Sequence, residues 1–209
     1  MNRVLQKHRL LWPQRSFLFG VVMGFLFLVV ALLGNYYANS YTLTHASNPV
    51  TDLLLDNIPT VNVDFIFKQG VFIFLATLAV ILLYEPRRIP FVLKSIALFY
   101  AIRSIFITLT HLAPPLHMSY VNPADFMYAI SSGGDLFFSG HTGLPFLLAL
   151  IFWDSARLRY LFLTCTAIAG TATILGHFHY SIDVFAALFI SFGIFHMAKA
   201  IFRESYRLF

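Results

Sequence analysis

The amino-acid sequence predicts an all-α fold, a polytopic membrane protein built as a six-transmembrane-helix bundle. Three observations predict it. Of 209 residues, 59% are hydrophobic and only 11% charged, against roughly 25% charged in a soluble domain. Mean hydropathy is +0.77, more apolar surface than a water-soluble core could hide. The charges themselves fall between long apolar stretches, so they mark where spans begin and end.

No charge lies between Arg15 and Asp52, and Phe17–Gly34 within that gap is long enough to cross a bilayer. A secretory signal is the competing reading of a basic start followed by an apolar run. The run is longer than a typical signal core and no small-residue cleavage site follows, so a retained first helix is expected. Further spans are expected at Gly70–Tyr84, Pro90–Leu112, Leu136–Trp153, Tyr160–Gly176 and Ile182–Ala200. This divides the chain into a basic N-terminal segment (1–16), a membrane domain (17–202) and a short tail (203–209).

The basic residues sort by side. Arg3, Lys7, Arg9 and Arg15 precede the first span; Arg87, Arg88 and Lys94 lie between the second and third. Arg157 and Arg159 lie between the fourth and fifth, and Lys199, Arg203 and Arg207 end the chain. With six alternating spans, 12 of the 14 Lys and Arg face one side, which the positive-inside rule makes cytoplasmic, with both termini there. The basic pI near 9.5 then reflects topology and excludes nucleic acid as the expected partner. The single cysteine, Cys165, forbids an intramolecular disulfide and reads as a small core residue.

Two polar clusters fall on the opposite, non-cytoplasmic face: GDLFFSGHTG (134–143) and HFHYSIDV (177–184). His179 and Asp183 are four apart, so a carboxylate can hold one imidazole nitrogen and leave the other as a nucleophile. His141 follows Ser139 and Gly140 where the fourth span begins. The N-termini of the fourth and sixth spans meet this face, and helix N-termini favour phosphate. Gly140 admits close backbone approach, and Arg103, inside the third span, is a fixed cation with bidentate geometry. Together these residues suggest phosphoryl transfer through a phosphohistidine. His179 attacks phosphorus, Asp183 stabilises the imidazolium, and His141 serves as acid and then base. Arg103, Ser139, Gly140 and Thr142 hold the phosphate oxygens. Asp135 either orients a catalytic group or caps the loop, and Tyr180 is a further supporting candidate. No metal or other cofactor is required.

Other readings of the same residues are blander. His111, His117 and His196 read as packing histidines. His177 with His179 and Asp183 could ligate zinc. Arg103 could pair with a buried acid such as Asp135. A channel, transporter or scaffold could also use intramembrane polar groups.

SGHT (139–142) preceded by GD (134–135), and HYSIDV (179–184), resemble the third and fourth signature motifs of sphingomyelin synthases, approximately CGDxxxSGHT and HYTxDV. Those enzymes belong to the wider superfamily of type 2 phosphatidic acid phosphatases. Arg103 to Pro114 resembles the second motif, and Pro49, Asp52, Asp56 and Pro59 echo the first. Gly133, Phe106-Ile107 and Ser181 depart from the family pattern, and the KxxxxxxRP motif of ordinary lipid phosphate phosphatases is absent. The resemblance implies a catalytic triad of His141, His179 and Asp183. It further implies transfer of a phosphocholine or phosphoethanolamine head group from a membrane phospholipid donor to a lipid alcohol such as ceramide or diacylglycerol. Hydrolysis with water as acceptor is the alternative.

Overall fold

The computed structural model describes residues 3–116, 118–119 and 136–208, the side chains of Arg3 and Lys68 aside. Its helices are α1 (Arg3–Leu11), α2 (Arg15–Thr44), α3 (Asp64–Tyr84), α4 (Ile89–Leu109), α5 (Gly140–Ile151), α6 (Ala156–Leu175), α7 (Ser181–Ile201) and α8 (Arg203–Tyr206). There is no strand among the described residues.

Five of these have the length and hydropathy to cross a bilayer: α2, α3, α4 with its preceding turn (Pro86–Leu109), α6 and α7. The sixth expected span, Leu136–Trp153, is not among these five and is shorter than expected, although its segment still runs to Arg88 at the basic end of the bundle. Its helix, α5, has 12 residues, about 18 Å at 1.5 Å per residue, against a hydrocarbon core of about 30 Å. Its start is set by local chemistry. Phe138 adopts φ 36°, which breaks the helical path, and Ser139 caps the first turn by accepting from the Thr142 N–H at 3.3 Å. At the other end, Arg88 forms a two-pronged ion pair with Asp154 (2.6 and 3.1 Å) just beyond the last turn. That guanidinium holds the Asp154 carboxyl below its ordinary range.

α5 is apolar for a different reason from the other five. It is wrapped by protein, packing chiefly against α6 and α7 and also touching α4. Most of its side chains from Thr142 to Ile151 are buried. Phe99, Phe138, Leu147, Phe152 and Phe162 form the surrounding core. By contrast α2 and α3 display long rows of exposed Leu, Val and Phe, the surface a lipid solvent favours. The first span is also longer than expected, since α2 runs 30 residues to Thr44.

α2 and α4 form the most extensive helix pair. Gly24 permits their closeness, for a Cβ there would come within 2.9 Å of Leu93 Cβ, the small-residue device of membrane helices. Thr42 Oγ1 donates to the Ile107 carbonyl at 3.1 Å and seals the other end of the pair.

The two ends of the bundle differ in character. One gathers basic residues: Lys7 pairs with Glu85 at 2.6 Å, and Lys94 donates to Ser205 Oγ at 2.8 Å. At the other, the 45–63 connection lies over the end of α6 and the start of α7. Val61 N donates to the Leu175 carbonyl at 2.8 Å, and Ser47 N to the His111 carbonyl at 2.7 Å.

Candidate active site

His179 stands in the turn before α7 rather than on the helix, so its pairing with Asp183 arises from capping geometry. Asp183 occupies the third helical position. Its N–H donates to the Tyr180 carbonyl at 3.0 Å, and its Oδ2 accepts from Tyr180 N at 3.2 Å, a reciprocal closure of the first turn. The same Oδ2 lies 3.3 Å from His179 Nδ1. A carboxylate can only accept, so Nδ1 carries the proton and Nε2 of the neutral ring keeps its lone pair. His179 is 3% and Asp183 0% exposed. Asp183 Oδ1 is buried with no partner among the described residues.

The two polar clusters meet directly. Ser139 N donates to the Asp183 carbonyl at 3.0 Å, which fastens the start of α5 to the first turn of α7. Arg103 arrives from α4 and is 2% exposed. Its Nε donates to the Phe138 carbonyl at 3.3 Å and its Nη1 to Asn35 Oδ1 at 3.2 Å. The guanidinium lies against the α5 start so closely that a Cβ at Gly140 would be 3.3 Å from Arg103 Nε.

A cavity of about 390 Å³ opens at this point, within the usual range for small-molecule sites. Arg103, Gly140 and His141 line one end with Asn35 and Asn39; the rest is mostly apolar, including Phe74, Leu144 and Phe162. Phe67 also lines it, with ring centroids 4.4 Å from His141 and 4.2 Å from Phe178, so one aromatic ring touches both halves of the site. His179, Asp183, Ser139, Thr142 and Tyr180 do not line the cavity. Ser139 and Thr142 engage each other, their hydroxyls 3.3 Å apart in the α5 cap. Asp135, with Gly133 and Gly134, lies outside the described residues, as does His117.

Two polar ties were not legible from local sequence. The expectation that both helix N-termini face phosphate is corrected for α7, because Asp52 Oδ2 accepts from Ser181 N at 2.7 Å and fills that position with the chain's own anion. Tyr180 Oη donates to the Ala113 carbonyl at 2.8 Å and accepts from Val50 N at 3.2 Å, binding two connections to the α7 start. Asp52 and Pro49 had stood out only as an echo of a motif. Asn35 and Asn39 gave a fainter signal: two carboxamides four apart in an uncharged stretch.

Burial alone would raise the Asp52 carboxyl, but the N–H groups of Leu55, Ser181 and Leu54 outweigh it and hold it below its ordinary 3.8. A lowered folded pKa stabilises the fold above the ordinary value, and this is lost as pH falls through the folded one. Asp52→Asn is therefore expected to lower stability by about 1–2 kcal/mol at neutral pH. Thermal unfolding from pH 7 to pH 3 should show the gap to wild type closing only in the acid range, below roughly pH 4.

Among the described residues no three His, Cys, Asp or Glu side chains converge as a metal site, so the zinc arrangement of His177, His179 and Asp183 is not formed. His177 instead places Nδ1 3.3 Å from Thr60 Oγ1.

Residues 132–200, about a third of the chain, match the family model described as PAP2 superfamily C-terminal. That stretch contains both polar clusters. The match supports kinship with the type 2 phosphatidic acid phosphatase superfamily, whose activities are lipid phosphatase and phosphotransferase reactions, and does not single out the sphingomyelin synthase branch. No curated protein and no solved structure matches the chain.

Proposed function

We propose that this protein is an integral-membrane lipid phosphotransferase that works through a phosphohistidine on His179. The observation that carries the reading is the buried His179–Asp183 pair, held against the start of the His141 helix by the Ser139 N–H bond to the Asp183 carbonyl. The apolar cavity with Arg103 and His141 at one end supports a lipid substrate.

In the first half-reaction His179 Nε2 attacks phosphorus of a phospholipid, and the bond from phosphorus to the diacylglycerol oxygen breaks. His141 protonates the departing oxygen while Asp183 steadies the imidazolium that forms. In the second, His141 takes the proton from an acceptor hydroxyl, whose oxygen attacks phosphorus and releases His179. Arg103 balances charge on the phosphate oxygens, with the α5 N-terminus around Gly140 beside it. Ser139 and Thr142 contribute by capping that helix. The head group moved is phosphocholine or phosphoethanolamine and the acceptor a lipid alcohol such as ceramide or diacylglycerol, as the synthase-like motifs suggest. The basic end of the bundle faces the cytoplasm with both termini, and the site faces the other side.

Purified protein incubated with head-group-labelled phospholipid, with and without a lipid alcohol, tests this. Acid-labile label on His179, and labelled product that forms only with the alcohol, is the expected result. Label released equally without acceptor assigns a hydrolase, the second reading, which the phosphatase members of the matched superfamily favour. Absence of any protein-bound label together with absence of turnover sinks both.

A further inference from the structure

Asn35 and Asn39 sit one turn apart on α2, and both are buried, at 7% and 1% exposure. A carboxamide inside a membrane bundle is unfavourable unless its polar atoms are matched. Asn35 Oδ1 accepts from Arg103 Nη1 at 3.2 Å. A guanidinium can only donate, so this bond orients the amide, with oxygen toward Arg103 and Nδ2 away from it. Nδ2 donates to no described residue. Asn35 lines the same cavity end as Arg103, Gly140 and His141. A side chain more than nine-tenths buried thus presents two N–H donors, fixed in direction, beside a cation at the head of an apolar cavity.

We infer that Asn35 is a substrate-binding residue: its Nδ2 donates to a phosphate oxygen of a phospholipid whose head rests at Arg103 and whose tail occupies the cavity. The inference rests on the lipid phosphotransferase reading and names a residue that none of the motifs contains. The occupant follows from complementarity. Cationic and N–H groups at one end match a phosphate, and Phe74, Leu144 and Phe162 beyond them match hydrocarbon. Asn35 therefore has two roles, one toward Arg103 and one toward the ligand, and substitution separates them. Asn35→Asp keeps an acceptor for Arg103 and even strengthens it, but loses the donor and repels an anion.

The chain's one cysteine supplies a readout that needs no turnover, because Cys165 on α6 lines the same cavity. The full-length protein in mild detergent is alkylated with a maleimide in the presence of hexadecylphosphocholine, or of hexadecyl maltoside as a tail-matched neutral control. The phosphocholine amphiphile is expected to protect Cys165 at a concentration at least about fivefold lower than the maltoside. Asn35→Asp is expected to raise its half-protective concentration about tenfold or more, the size of one hydrogen bond to a charged group. Asn35→Gln, which keeps both ends of the amide, should stay within about threefold of wild type. If Asn35→Asp does not fold, Asn35→Leu, which removes the donor and the Arg103 acceptor together without adding charge, carries the same expectation, and wild-type protection in it overturns the inference equally. Protection in Asn35→Asp equal to wild type overturns the inference and leaves Asn35 as a prop for Arg103. Equal protection by both amphiphiles in wild type overturns it too. Loss of phosphohistidine labelling with protection intact defeats the catalytic reading alone, so the two failures are distinct.

Discussion

Replacing His179 with alanine is expected to lower turnover at least about 10⁴-fold and to abolish protein-bound phosphate, because the attacking nitrogen itself is removed. No neighbour can substitute for it. His177 is directed to Thr60, and His141 acts on the leaving oxygen. Asp183→Asn isolates the second part of the pair. It keeps an acceptor for Tyr180 N but loses the charge that fixes the His179 tautomer and stabilises its imidazolium, so a fall of about 10³–10⁴-fold is expected. The measurement is steady-state transfer of labelled head group, with thermal unfolding confirming that each variant is folded. A folded His179→Ala protein with wild-type turnover would eliminate the phosphohistidine and return His179 to the packing role open to any buried histidine.

Arg103→Lys is the second large effect, and it separates charge from geometry. Lysine retains the positive charge but not the fork that reaches the Phe138 carbonyl and Asn35 together. Two buried acceptors then share one flexible ammonium. Loss of stability by about 1–3 kcal/mol is expected, with turnover lower by about 10²-fold or more as the equatorial oxygens lose their oriented donors. Comparing kcat/KM and melting temperature for Arg103→Lys and Arg103→Met is the check. If the lysine protein works as well as wild type, a bidentate grip on phosphate is not part of the reaction.

The separation of chemistry and scaffold explains what the sequence could and could not show. The four-residue spacing of His179 and Asp183 announced a pair, and the structure joins them, though through a capping turn instead of a helix face. The alternation of apolar spans placed SGHT and HYSIDV on one membrane surface, and a single backbone bond from Ser139 to Asp183 joins them. The length of α5 was not readable. Hydropathy counts apolar atoms and is blind to whether lipid or protein covers them, so a buried helix of 12 residues extended on paper to Leu136 and Trp153. Ser139 and Thr142 were recognisable as hydroxyls suited to phosphate, yet the fold turns them toward each other.

By its own composition and periodicity the chain determined its solvent, its basic and acidic ends, and which side chains are equipped for acid–base and nucleophilic work. Only tertiary packing decided which of those groups meet a ligand and which meet one another. Asp52 reaches Ser181 across 129 positions, and Arg103 reaches Asn35 across 68. The physical reason is range. Hydropathy and helical period act over a few neighbouring residues, whereas a buried donor takes the nearest acceptor that packing brings to it, wherever in the chain that acceptor lies.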